Sequence, residues 1–299
     1  MGAPHPEAVV PRAHSGRDAI AGGEPAIMIV GDSITQGRDG DHTWRYRLWR
    51  HFRSHGVTAS FVGPWRGTWV PPENGPSGPE PHALAARCGI RSPAPVHTGR
   101  YRDGAGFEGD RHYASWGRLL HEAKDNIGDA VAAHGADHLM VALGFNDLAW
   151  GVRGPGQALR DLATFVRRAR EANPDVQLLV ANIVQRTPLR EHPNLGRDTA
   201  LYNRLLPARL AELSTARSRA VPVDIAAVYD PYDDAYDGVH PNDSGELKIA
   251  RAFAGAYMSA FGVRPRLPAR PGVTPGQLDW AAMAVRSEAS RSGAEIIGQ

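Results

Sequence analysis

The chain has 299 residues, 42% of them hydrophobic and 22% charged, which excludes gross disorder and leaves room for a sizeable buried core. Its 34 Lys and Arg are dispersed among 32 acids for a net charge of +2, so no concentrated basic surface for nucleic acid is present. Cys88 is the single cysteine, which excludes an intrachain disulfide and a thiolate-rich metal site. No run approaches the roughly 20 apolar residues of a membrane span, and residues 1–30 lack the apolar core of a signal peptide, so the expected compartment is the cytoplasm.

Residues 1–24 are rich in Pro, Gly and charge without periodicity and read as a surface arm. The apolar run from Ala26 to Val30, ending in Gly31, is expected to be a strand buried on both faces of a parallel sheet. A helix follows over 43–55, then a strand over 58–62 stopped by Gly63 and Pro64. Residues 64–106 are crowded with Pro and Gly, and a loop of that length points to an insertion near the active-site face.

Residues 118–134 carry Leu119, Leu120, Ile127, Ala130 and Val131 on one helical side, with Gly135 placed to end the helix. A strand over 138–143, a helix over 157–172 stopped by Asn173 and Pro174, and a strand over 176–181 come next. A helix over 199–214 precedes an edge strand over 220–224, because Pro222 cannot donate to a ladder. The helix 243–261 closes a domain spanning 25–262, and 263–299 reads as an extension with a short helix over 277–289. Strands alternating with helices predict a parallel sheet covered on both faces, with right-handed crossovers.

Such sheets bind ligands at the carboxyl ends of their strands, where unusual residues collect. Gly31 to Gly37 follows the first strand and sets Ser33 on a turn before a helix, where a serine is either an ordinary N-cap or an exposed nucleophile. Near the chain end, Asp237 and His240 stand three residues apart around Gly238, so one loop can supply a base and the carboxylate that orients it. Taken alone they are also common turn residues. After the third strand, Gly144 permits close approach of a substrate and Asn146 is a suitable amide donor for charge developing on an acyl oxygen; Asp147 reads as a turn or cap residue.

Gly31 to Thr35 (GDSIT), Gly144 to Asp147 (GFND) and Asp237 to Pro241 (DGVHP), in that order, resemble blocks I, III and V of the SGNH hydrolase superfamily, the GDSL-like esterases, over most of residues 26–261. The resemblance implies a flavodoxin-like α/β/α sandwich with a central five-stranded parallel sheet, and an acyl-enzyme mechanism without metal or other cofactor. Ser33 then maps to the nucleophile, His240 to the general base, Asp237 to its orienter, and the Ser33 N–H and Asn146 to the oxyanion hole. The remaining donor maps to Gly117, with Gly109 as rival, because residues 108–117 depart from the common Glu-Gly-x-Ser-Gly pattern. Phe145 replaces the more usual small residue of block III.

The expected activity is hydrolysis of a small acyl or O-acetyl ester of a small molecule or carbohydrate. Acyl transfer or thioester hydrolysis by the same serine is the alternative, and a non-catalytic binding module a third reading. Asp32, Phe145, Trp150 and Gln185 are candidate substrate neighbours, with Trp44 and Arg186 nearby. His42, His112 and His138 lack metal-ligand spacing and read as packing or surface residues.

Overall fold

The computed structural model describes residues 24–70, 99–102, 106–107 and 109–262. The arm but for Glu24, most of the insertion, and the C-terminal extension with its expected helix lie outside the described residues.

Among the described residues, the strands are β1 (Ala26–Gly31), β2 (Ser60–Val62), β3 (Tyr113–Ala114), β4 (His138–Ala142), β5 (Gln177–Ala181) and β6 (Ala220–Val223). The helices are α1 (Ser33–Gln36), α2 (Thr43–Ser54), α3 (Leu120–His134), α4 (Phe145–Ala149), α5 (Pro155–Ala172), α6 (Leu195–Leu213) and α7 (Asp243–Phe261). All strand pairs are parallel, in the order β2-β1-β4-β5-β6, so the sheet has the flavodoxin-like order and its switch point falls between β1 and β4. β6 is an edge strand with Pro222 beside Val180, as its missing N–H requires.

The one addition to the expected five strands is β3, a two-residue piece. β2 pairs with the first half of β1, ending at Met28 opposite Val62, and β3 takes up the same side of β1 at Val30, opposite Tyr113. The long segment between them thus leaves and rejoins the sheet two residues apart along β1. Its neck is closed by a pair of backbone bonds between Trp65 and His112.

Two helix layers cover the sheet: α2 packs on α7, and α3 packs on α5, which packs on α6. The central strands are buried on both faces, which is why Ile27, Met28, Ile29 and Val30 form one unbroken apolar run. Trp44 of α2 is fully buried and stacks on Phe253 of α7 at 4.6 Å, so it belongs to the core. α6 begins four residues earlier than its apolar stripe predicts, at Leu195, which is itself buried. α3 ends on Gly135 in the left-handed conformation, as its sequence position requires. No helix of the described residues is long and apolar enough to cross a membrane.

Candidate active site

At the carboxyl end of β1 the chain turns directly into α1. Asp32 caps that helix by accepting from the Ile34 N–H at 3.0 Å, so the capping role open to Ser33 falls to its neighbour and leaves the Ser33 hydroxyl for other work. Arg45 of α2, fully buried, holds the far end of α1: it donates to the carbonyls of Thr35 (2.8 Å) and Gln36 (2.9 Å), and to Gly67 at the insertion's neck (3.0 Å). These bonds satisfy carbonyls that a four-residue helix leaves unpaired.

The loop between β6 and α7 brings the second and third groups. His240 Nε2 lies 2.9 Å from Ser33 Oγ, and His240 Nδ1 lies 2.6 Å from Asp237 Oδ2. The other carboxylate oxygen of Asp237 accepts the backbone N–H groups of Val239 and His240, at 3.1 and 2.8 Å. Burial pushes the Asp237 carboxyl upward, but the bond and charge of His240 and these two N–H groups outweigh it and hold the group at about 2. Asp237 is therefore ionised at neutral pH.

Several long-range contacts pin this loop. Gly238 has φ of +84°; a side chain there would be strained and would also collide with Thr187, whose N–H donates to the Gly238 carbonyl at 2.9 Å. Tyr229 donates its hydroxyl to the Val239 carbonyl at 3.0 Å. Asp234, fully buried, accepts from Ser244 at 2.7 Å and Lys248 at 2.6 Å, tying the loop to α7, which Asn242 caps. Of these partners, only Thr187 is far from the motif in sequence.

Across the switch point, β4 leads through Gly144, at φ +113°, into α4. Gly144 must stay without a side chain because that backbone region disfavours other residues and Ile183 stands 3.1 Å from where a Cβ would lie. Asn146 is buried and gives one amide N–H to the Arg118 carbonyl at 3.1 Å, which fixes the amide plane while its second N–H remains for a ligand. Asp147 is a cap, but of another helix: its carboxylate accepts the Leu120 and His121 N–H groups of α3, at 2.8 and 2.9 Å. Burial raises it to about 6 against those two bonds.

The 116–118 segment threads between these groups. The Trp116 indole stacks on the His240 ring at 4.5 Å and 22° and on Trp69 at 4.1 Å, and its backbone N–H donates to Gln36 Oε1 at 2.6 Å. Tyr236, 45% exposed, stacks on His240 at 5.8 Å and 20°, and the Asp41 carboxylate lies close enough to feel the charge of His240. Trp116 could have been suspected from its place beside Gly117, and Tyr236 from its place beside Asp237; nothing in sequence marks Trp69.

The candidate substrate neighbours separate. Asp32 and Phe145 line a small cavity at the strand ends together with Ile34, Ala142, Asn182 and Ile183. Burial raises the Asp32 carboxyl to about 7, the Ile34 N–H only partly offsetting it. Trp150 is buried with the core cluster, the half-buried Gln185 amide donates to the Gly196 carbonyl at 3.1 Å, and Arg186 is close enough to Asp237 to feel its charge. His138 packs between Tyr257 and Phe261. His42 does meet Asp243 and Glu246, but Arg47 binds both carboxylates and Arg102 binds Asp243, so their charge is already matched.

A parallel sheet of this order, covered by helices on both faces, thus carries a hydroxyl, an imidazole and a carboxylate in hydrogen-bonded sequence at its strand ends. A family model described as the GDSL-like lipase/acylhydrolase family matches residues 29–247, and the chain belongs to that family and is an acylhydrolase. Among solved structures, it is similar to a carbohydrate esterase family 3 protein from Talaromyces cellulolyticus at 23% identity and TM-score 0.59, covering 79% of this chain and 97% of that one. It is likewise similar to an acetyl esterase mutant with an acetate ion (22%, 0.59, 79% and 97%) and to the Clostridium thermocellum family 3 carbohydrate esterase (21%, 0.57, 80% and 97%). No curated protein gives a significant sequence match.

Proposed function

We propose that the protein is a serine esterase that hydrolyses a small acyl ester, O-acetyl above all, through an acyl-enzyme on Ser33. The observation that carries this reading is the unbroken path from Ser33 Oγ through His240 to Asp237, with steps of 2.9 and 2.6 Å. His240 Nε2 takes the hydroxyl proton as Oγ bonds to the acyl carbon, and Asp237 stabilises the imidazolium that forms. The oxyanion is met by the N–H of Ser33, in the first turn where helix bonding leaves it unused, by the second N–H of Asn146, and by the N–H of Gly117.

Gly117 is favoured over Gly109 by its surroundings. It is buried, while Gly109 is exposed; it follows Trp116, which stacks on His240, and precedes Arg118, whose carbonyl holds Asn146. His240 then passes its proton to the departing alcohol oxygen, and water repeats the attack on the acyl-enzyme, restoring Ser33. Asp32 and Ile34, the chain neighbours of Ser33, line the small, largely apolar cavity at the strand ends together with Phe145. The names of the structural neighbours choose the first substrates to try, acetylated sugars.

The experiment is labelling with a fluorophosphonate alongside hydrolysis of 4-nitrophenyl acetate and acetylated xylose. The wild type is expected to be labelled and active, and Ser33→Ala to lose the label and at least about 10³-fold in kcat. A wild type that takes no label would overturn the reading. Transfer to an added alcohol in excess of hydrolysis would instead make the same serine an acyltransferase.

A further inference from the structure

Trp116 stacks on the proposed base and is tied through its backbone to the segments that carry the proposed nucleophile and oxyanion donors. Its ring lies against the imidazole of His240 at 4.5 Å, with planes 22° apart. Its backbone N–H is tied to Gln36, the last residue of the helix that begins with Ser33. Its carboxyl side continues into Gly117 and Arg118, and the Arg118 carbonyl holds Asn146. The ring is itself immobilised, only 8% exposed and backed by Trp69 at 4.1 Å and 19°.

We infer that Trp116, buttressed by Trp69, is a positioning residue of the hydrolysis: its indole face fixes the plane of the His240 ring and stabilises the imidazolium that forms when Ser33 gives up its proton. The inference rests on the serine-esterase reading above. Two physical effects are combined. His240 is held at Nδ1 by Asp237 and at Nε2 by Ser33, but the Ser33 bond is given up as Oγ attacks, and a flat partner then limits swing about the Cβ bond and keeps Nε2 in line. An aromatic face also attracts a cation that water does not screen, so the ring favours the charged intermediate state of His240 over the neutral resting one. Both effects act after the substrate is bound, so they belong in kcat.

The alternative is that Trp116 only fills space under the insertion's neck. Leucine can fill part of that space but offers no π face, and phenylalanine restores the face in a smaller frame. Trp116→Leu is therefore expected to lower kcat about 10- to 30-fold with KM changed less than about twofold, and Trp116→Phe to recover most of that loss, to within about threefold of wild type. The rate of fluorophosphonate labelling should fall in the same proportion, because that reaction needs the same activated hydroxyl and no bound alcohol.

Trp69→Leu, which leaves Trp116 in place but removes its backing, is the second variant, expected to lower kcat about threefold, and it serves if the Trp116→Leu protein does not fold. Kcat and labelling rate at the wild-type level in a folded Trp116→Leu protein would overturn the inference. So would equal losses in the Leu and Phe variants, a loss confined to KM, or, where only the Trp69 variant folds, an unchanged kcat in it. A wild type that takes no label would sink the esterase reading and this inference together, whereas a labelled wild type with indifferent Trp116 variants would sink this inference alone.

Discussion

The turn carrying Ser33 and the loop carrying His240 are held in opposite ways. Ser33, 8% exposed, follows a central strand flanked on both sides, with Gly31 paired to Ala114 and to Ala142, and its short helix is capped by Asp32 and gripped by a buried arginine. The Asp237–His240 loop has only the isolated bridge between Ala235 and Pro241, its Asp237 side chain is 43% exposed, and a few bonds to Thr187, Tyr229 and Lys248 keep it in register. The hydroxyl is thus placed by the fold as a whole, while the imidazole is placed by separate contacts. Small changes in the loop should therefore cost activity well before they cost stability.

That contrast is tested most strongly at Asp237. Asp237→Asn keeps the shape but gives up the negative charge and favours the wrong imidazole tautomer, so kcat is expected to fall about 10³-fold or more while the melting temperature moves by no more than about 3 °C. Steady-state kinetics and calorimetry on one preparation would settle it; a matching collapse of stability would mean that the loop is part of the folding core. Gly238→Ala comes next. The strained φ and the clash with Thr187 should displace the loop, lowering kcat about 10- to 100-fold for a stability cost of about 1 to 3 kcal/mol. Activity within twofold of wild type would show that the loop tolerates movement after all.

The smallest effect on activity is expected on the Ser33 side, where the change should appear in stability. Burial raises the Asp32 carboxyl to about 7, so the folded protein holds a proton there that the unfolded chain releases near pH 4. The stability this group contributes is fully present below that lower value and is lost as pH rises through about 7. Asp32→Asn cannot ionise and still caps α1, so its melting temperature should gain on the wild type by several degrees between pH 4 and pH 8. A difference constant with pH would place the carboxyl in contact with water.

The strands and long helices were legible because strands buried on both faces read as continuous apolar runs, and helices packed on one side as stripes. β3 and α4 were not, since two residues and five residues are too short to carry a period. Ser33, Asp237, His240 and Asn146 stood out because each follows a strand or sits within one short loop. The supports of those residues did not, because Thr187 against Gly238 and Trp69 behind Trp116 pair segments far apart in the chain. Trp150 shows the converse: adjacency to a motif says little about which way a side chain faces, and this one turns into the core.

The divided outer rail of the sheet has a consequence for how such a protein can change. The chain departs beside Met28 and returns beside Val30 through a doorway whose two jambs, Trp65 and His112, are bonded to each other, and just inside it Trp69, Arg100 and Arg102 are tied back to Gly37, Asp39 and Asp243. Lengthening or shortening what hangs there leaves the register of every strand untouched, at a closure cost of only about 0.6 kcal/mol per doubling. Since Trp69, just inside that doorway, reaches Trp116 and through it His240, new substrates could be courted by remodelling this one segment while the reacting atoms stay where they are.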